Sequence, residues 1–224
     1  MGHVFFGGGK VGMEAPVGDL LLSTITEGST VKLSENGIPV EFYVAKHDYE
    51  SALNGKGRTL LVRKDCYNTR LWHTPNINAY ASSAIDSWLN SSYKALLDTG
   101  TQEHLSTTKF YYTPGNGNTK VGTLSRSIFL LSLTELGESN DYVNIEGSVL
   151  PIASTLRIAY LNGSTSAQWT RSPATEDVRN VCLIHANGNM GSSGCSSTYG
   201  SRPALTLPSN ALFDKETLLF KEVA

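Results

Sequence analysis

Apolar and polar residues alternate along Val31-Lys32-Leu33 and again, beyond the turn Glu35-Asn36-Gly37, along Ile38 to Ala45. Alternation with period two sends successive side chains to opposite faces of a strand, and an Asn-Gly pair between two such runs favours a tight hairpin turn. The pattern therefore predicts a hairpin, preceded by a strand-like run at Leu20–Leu22 and followed, after Asn54-Gly55-Lys56-Gly57, by a short strand at Thr59–Arg63. The period then changes. Ser82-Ser83-Ala84-Ile85-Asp86 resembles a capped helix start; Ile85, Trp88, Leu89, Leu96 and Leu97 recur at helical spacing until Gly100, and Trp88 is expected to face the interior. A turn of helix at Gln102–Leu105, a strand at Lys109–Tyr112, a buried strand at Ser127–Leu133 and a short helix within Pro151–Tyr160 follow. After Asn162-Gly163 the chain returns to short strands around Gln168–Arg171, Val181–His185 and Ala204–Leu207, and a last pair, Ala211–Phe213 and Leu218–Lys221, flanks a polar turn.

Runs of strands with few helices, no internal repeat and no disordered linker predict a single α+β domain over residues 18–224. Residues 1–17 are rich in glycine, carry Pro16 and lack a repeating apolar face, so they read as an extended arm. Phe5 and Phe6 then point to docking into a larger assembly, the alternatives being a floppy terminus or a strand added to the domain's own sheet. The opening segment is neither a signal-peptide core nor a membrane span, because its apolar pieces are broken by Gly7-Gly8-Gly9. Synthesis in the bacterial cytoplasm without membrane insertion is expected, with any later exposure coming from assembly or lysis.

The chain has 224 residues, 40% hydrophobic and 17% charged, with a formal net charge of -2. That composition is globular, leaning toward uncharged polar side chains, and it supplies no electrostatic reason to bind nucleic acid. Cys66, Cys182 and Cys195 are an odd number without CxxC spacing, so neither a disulfide framework nor a zinc site is signalled. The five histidines show no HExxH or HxH spacing, and Gly191-Ser192-Ser193-Gly194 lacks the G-x-S-x-G form of a nucleophile elbow. No enzyme, metal or cofactor is expected from these residues. Trp72 is assigned to the interior, and Tyr199 is expected to fill core.

Four blocks carry a family resemblance: Ser82 to Leu97, Trp169-Thr170-Arg171-Ser172-Pro173, His185-Ala186-Asn187-Gly188-Asn189, and Tyr199-Gly200-Ser201-Arg202-Pro203-Ala204-Leu205. In this order they resemble a C-type-lectin-like domain family of gut bacteria and phages, related to the variable proteins of diversity-generating retroelements of the major tropism determinant kind. The resemblance covers roughly residues 18 to 210. It implies a C-type-lectin-like fold whose loop-rich carboxy-terminal face binds a ligand, and a phage virion protein that attaches to a host. The partners implied are a host surface protein or glycan and, through the arm, other virion proteins, with display as a homo-oligomer, a trimer by analogy. A structural or decoration protein of the capsid or tail is the alternative, and an oxidoreductase like the formylglycine-generating enzymes, whose fold is related, a remote one.

Where relatives carry two adjacent tryptophans before the Arg-Ser-Pro motif, this chain has Gln168-Trp169-Thr170, which marks Gln168 and Thr170 as contact positions. Trp169 reads equally as an exposed anchor or as core. The remaining contact positions implied are Asn187, Asn189, Ser192, Ser193, Cys195, Ser196, Ser197 and Thr198. Without the resemblance, this run reads as a solvated loop. Arg171 and Arg202, each close to Pro173 or Pro203, together with Trp88, read as framework, the guanidinium forks binding loop carbonyls. The calcium-dependent sugar triplets of lectins are missing, so recognition is expected to be direct.

Overall fold

A computed structural model describes residues 18–223. The expected arm, with Phe5 and Phe6, lies outside the described residues. The strands are β1 (Asp19–Leu21), β2 (Thr30–Glu35), β3 (Ile38–Lys46), β4 (Arg58–Arg63), β5 (Asn68–Leu71), β6 (Thr108–Tyr112), β7 (Gly122–Arg126), β8 (Ile128–Phe129) and β9 (Ala159–Leu161). They continue as β10 (Ser164–Ser166), β11 (Gln168–Pro173), β12 (Asn180–Ile184), β13 (Met190–Gly194), β14 (Thr198–Ser201), β15 (Ala204–Pro208), β16 (Ala211–Asp214) and β17 (Phe220–Val223). Four short α-helices intervene: α1 (Ser51–Asn54), α2 (Ala84–Trp88), α3 (Thr99–His104) and α4 (Ala153–Arg157). The fold is thus mixed α+β, with many short strands and few helices.

Two five-stranded sheets organise it, one in the order β2-β3-β4-β15-β8 and the other β13-β12-β11-β14-β5. The expected β2–β3 hairpin forms, in a register that sets Glu35 opposite Ile38. Asn36 and Gly37 both take positive φ, 51° and 79°, which is the geometry of a tight hairpin turn and the reason for that residue pair. β14 and β15 are consecutive in sequence yet belong to different sheets. The link between them, Arg202-Pro203, is buried, and Arg202 donates to the carbonyls of Arg63 (2.8 Å), Lys64 (2.6 Å) and Leu156 (2.6 Å). One guanidinium therefore ties the end of β4, the end of α4 and the sheet-to-sheet crossing together.

Three expectations are corrected. The helix over Ser82 to Leu97 is not continuous: α2 gives way to a wider π turn at Leu89–Tyr93 and a tight 3-10 turn at Lys94–Leu96. Asn90 accounts for the break locally, because its side-chain amide donates to the Asp86 carbonyl (3.0 Å), which a regular helix reserves for the backbone, and to the Ile128 carbonyl (2.9 Å). Trp88 is half-buried rather than interior, its ring covered by the Arg70 guanidinium 3.8 Å from the centroid. Finally, the Ser127–Leu133 run pairs as a strand only at β8. Its later backbone amides donate to side chains instead: Leu130 to the Tyr80 hydroxyl, Ser132 to Glu135 and Leu133 to Ser172.

Candidate recognition face

The second five-stranded sheet carries the carboxy-terminal face. Its inner strands are closed: every residue of β11 is buried, as are Val181 to Ile184 of β12. β13 is an edge strand, registered on β12 with Ser193 opposite Val181 and Ser192 opposite Cys182. A turn at His185–Asn189 leads into it, and Cys195–Ser197 lead out to β14, which pairs with β5. The polar stretch is therefore a strand with its flanking turns, held by a buried neighbour on one side.

On this frame Asn187, Asn189, Ser192, Ser196 and Thr198 are exposed, and Ser193 and Ser197 are half-buried, with the Ser193 hydroxyl donating to that of Ser197 (3.0 Å). The Asn187 side-chain Oδ1 accepts from the Asn189 N–H (3.1 Å) and fixes the turn. His185 folds over the strand it precedes: a Cβ at position 191 would lie 2.1 Å from its Nε2, so glycine is required there for the imidazole to approach. The structure thus places these seven polar residues on one edge strand and its flanking segments, with Ser192 and Ser193, consecutive on β13, directed to opposite sides of it.

Four other expected contact positions do not reach it. Gln168 is 3% exposed, Trp169 2%, and Thr170 and Cys195 0%. The first three stand on β11, the middle strand, whose two faces are both covered, and their polar atoms are already used. Gln168 Nε2 donates to Leu156 O (2.8 Å), Trp169 Nε1 to Arg70 O (2.8 Å) and Thr170 Oγ1 to Cys182 O (2.7 Å). Trp169 meets Tyr199 edge to face at 4.9 Å. Cys195 is turned inward by its backbone, whose N–H donates to Arg179 O and whose carbonyl accepts from His73 N–H. Burial pushes the thiols of Cys182 and Cys195 up to about 12 and that of Cys66 to about 11. All three are held as neutral thiols at neutral pH, the opposite of what thiolate chemistry requires.

Arg171, next on β11, is fully buried; it pairs with Glu135 (2.7 Å) and donates to the carbonyls of Leu130 and Tyr111. Tyr49 donates to the same Glu135, and Glu146 accepts from Thr113 N–H and the Ser172 hydroxyl, each at 2.5 Å. Desolvation raises Glu146 above the usual carboxylate range, against the opposing pull of Arg171. Glu135, Glu146 and Arg171 have no exposed surface, so the cluster holds the framework from inside and no substrate touches it. Pro173 and Pro203 are buried beside the two arginines.

Two features went unforeseen. A cleft of about 180 Å³ opens beside β13, walled by Asn140 and Tyr142, by Glu176 and Asn180, and by Met190 and Ser192. At the other edge of the sheet stands Arg70, opposite Tyr199 in the β5–β14 register and stacked on Trp88. Its Nε is buried without a hydrogen-bond partner, and among the described residues no carboxylate pairs with it. Desolvation accordingly lowers its affinity for the proton. Neither feature has a signature in spacing, since Asn68-Thr69-Arg70-Leu71 lacks alternation and the cleft joins segments far apart in sequence.

Among the described residues no group of three or more His, Cys, Asp or Glu is placed to hold a metal ion, and no helix is long and apolar enough to cross a membrane. A family model described as "Domain of unknown function (DUF6273)" matches residues 56–209. No curated protein and no solved structure matches the chain. The matched segment runs from the turn before β4 to the residue after β15, and so includes all of residues 187–198 and the Arg202 crossing.

Proposed function

For a chain that belongs to the DUF6273 family, whose model covers its second sheet entirely, we propose a non-catalytic recognition role exercised by the face around β13. The observation that carries it is the contrast within one sheet. Seven polar side chains of residues 187–198 are exposed or half-buried, while the central strand β11 is wholly buried with its polar side chains hydrogen-bonded. Positions of this kind change at small cost to stability, so binding is adjusted without refolding. Neutral, buried thiols and a closed ionic cluster weigh against the oxidoreductase alternative.

The finer reading follows the sequence resemblance. It is a C-type-lectin-like domain on a phage particle, attached through its amino-terminal arm and meeting a host surface protein or glycan, with display as a trimer turning weak single contacts into avidity. The test is adsorption of the labelled chain to whole host cells. Combined substitution of Asn187, Asn189, Ser196 and Thr198 by alanine abolishes adsorption if the face is a receptor site. Unchanged adsorption sinks that reading, and an absence of adsorption by the parent chain favours a decoration protein. A neighbouring reverse-transcriptase gene with an imperfect repeat of the coding segment for residues 169–199, differing mainly at adenines, is the genomic counterpart of the same test.

A further inference from the structure

We propose that the cleft between Tyr142 and Met190 anchors a basic side chain, a guanidinium or an ammonium, projecting from the protein that this face contacts. The inference rests on the recognition reading and adds the chemistry of one contact. Its first basis is charge. The lining contains two carboxylates, Glu176 and Asp177, and no lysine or arginine. Arg179, the nearest cation in sequence, is committed to Asp177 through Nε (3.0 Å) and Nη2 (2.9 Å) and leaves Glu176 unbalanced. An anionic group entering here meets the unbalanced Glu176 carboxylate and no cation left to receive it. A neutral group leaves the Glu176 carboxylate unused.

The second basis is the state of the polar groups. Among the described residues, the side chains of Glu176, Asn180 and Ser192 make no hydrogen bond, and the Asn140 side chain uses only its Oδ1, accepting from the Tyr142 N–H (2.9 Å). Cys182, 2% exposed and with a thiol that makes no hydrogen bond among the described residues, forms part of the lining. Glu176, Asn180 and Ser192 each carry a side-chain oxygen able to accept, and all three line one small space, which suits the several N–H donors of one cation. Tyr142, 49% exposed, supplies an aromatic wall, and Met190 a soft apolar one. A cation near a tyrosine face gains electrostatically, while the alkyl stem behind it covers apolar surface. The cleft is of a size for one side chain, so the contact is a single anchor within a larger interface.

The experiment uses the full chain, labelled with nitrogen-15 and titrated with N-acetyl-arginine methylamide, N-acetyl-lysine methylamide and the neutral isostere N-acetyl-citrulline methylamide. Saturable shifts are expected at the amides of Asn180, Met190 and Ser192 for the two cations, with citrulline weaker by about tenfold, the scale of one charge-assisted hydrogen bond. Glu176 is exposed, so Glu176→Gln leaves the rest of the spectrum in place and reduces cation affinity by a similar factor. Preference for arginine over lysine identifies the guanidinium, and the reverse the ammonium. Equal binding of citrulline, shifts located elsewhere, no saturable shift up to about 50 mM, or a Glu176→Gln variant that binds like the parent overturns the proposal. Cation binding by a chain that fails to adsorb to cells refutes the recognition role alone, and adsorption without cation binding refutes the anchor alone.

Discussion

Arg171 spends its whole donor set inside the protein: Nε and Nη2 point to the Tyr111 carbonyl at 3.1 and 2.9 Å, and Nη1 to the Leu130 carbonyl at 2.9 Å and Glu135 at 2.7 Å. A planar fork meets acceptors in these several directions at once, whereas an ammonium at one point cannot. Removing it leaves the Glu135 carboxylate buried, with only the Tyr49 hydroxyl and the Ser132 N–H as donors. Arg171→Met is therefore expected to cost about 3–5 kcal/mol in urea unfolding, and Arg171→Lys to recover less than half of that. Asp86 gives a different signature. Burial, opposed by its ion pair with Arg126 (2.8 Å), raises it from 3.8 to about 6. The folded protein then holds the Asp86 proton more tightly than the unfolded chain does, so this contribution to stability is complete below the unfolded value and is lost as pH rises through the folded one. Compared with Asp86→Asn, the parent chain should lose stability between about pH 4 and pH 7, read as the difference in urea midpoints. A constant difference across that range would refute the assignment.

At the scale of elements, β13 and β14 show how unevenly neighbouring strands of one sheet tolerate change. Gly200, buried on β14, has no room for a side chain: a Cβ there would lie 2.5 Å from Cys66 Sγ and 2.7 Å from the Ala167 carbonyl oxygen. Because the second contact is backbone, Gly200→Ala must displace the β14–β11 junction and is expected to cost about 1–3 kcal/mol by thermal or urea unfolding. At Gly191 the obstacle is the far end of the exposed His185 side chain, which can swing away, so Gly191→Ala should cost less than Gly200→Ala in the same assay. The same contrast explains what could be read in advance. The β2–β3 hairpin was legible because alternation and an Asn-Gly turn are local signals. β13 was not, since Gly191-Ser192-Ser193-Gly194 carries no apolar alternation and owes its strand conformation to pairing with β12. The exposure of Asn187, Asn189, Ser192, Ser196 and Thr198 followed from their polarity. The burial of Gln168, Thr170 and Cys195 did not, because polarity is silent on a central strand whose neighbours satisfy every donor. The cleft depends on Asn140 and Tyr142 arriving beside Met190 and Ser192, a tertiary event without a sequence motif.

For the molecule as a whole, recognition and folding occupy separate sets of residues only if the face can be rewritten without loss of the core, and that separation is measurable. Asn187, Asn189, Ser196 and Thr198 are exposed; the Asn187 side-chain oxygen accepts from the Asn189 N–H, while Asn189 and Ser196 are otherwise held through their backbones, by the His185 N–H and the Asn76 side chain, contacts that alanine keeps. Exposed substitutions of this kind fall within about 0.5 kcal/mol each, so the fourfold alanine variant should lose at most about 2 kcal/mol, less if the effects partly cancel. Trp169 is the counterweight: buried, bonded to Arg70 O and packed on Tyr199, it should cost about 3–5 kcal/mol on truncation to alanine. Urea unfolding of the two variants beside the parent chain decides the matter. A fourfold variant as unstable as Trp169→Ala would mean that the polar turns hold the sheet together, and the face could not then vary freely for any ligand.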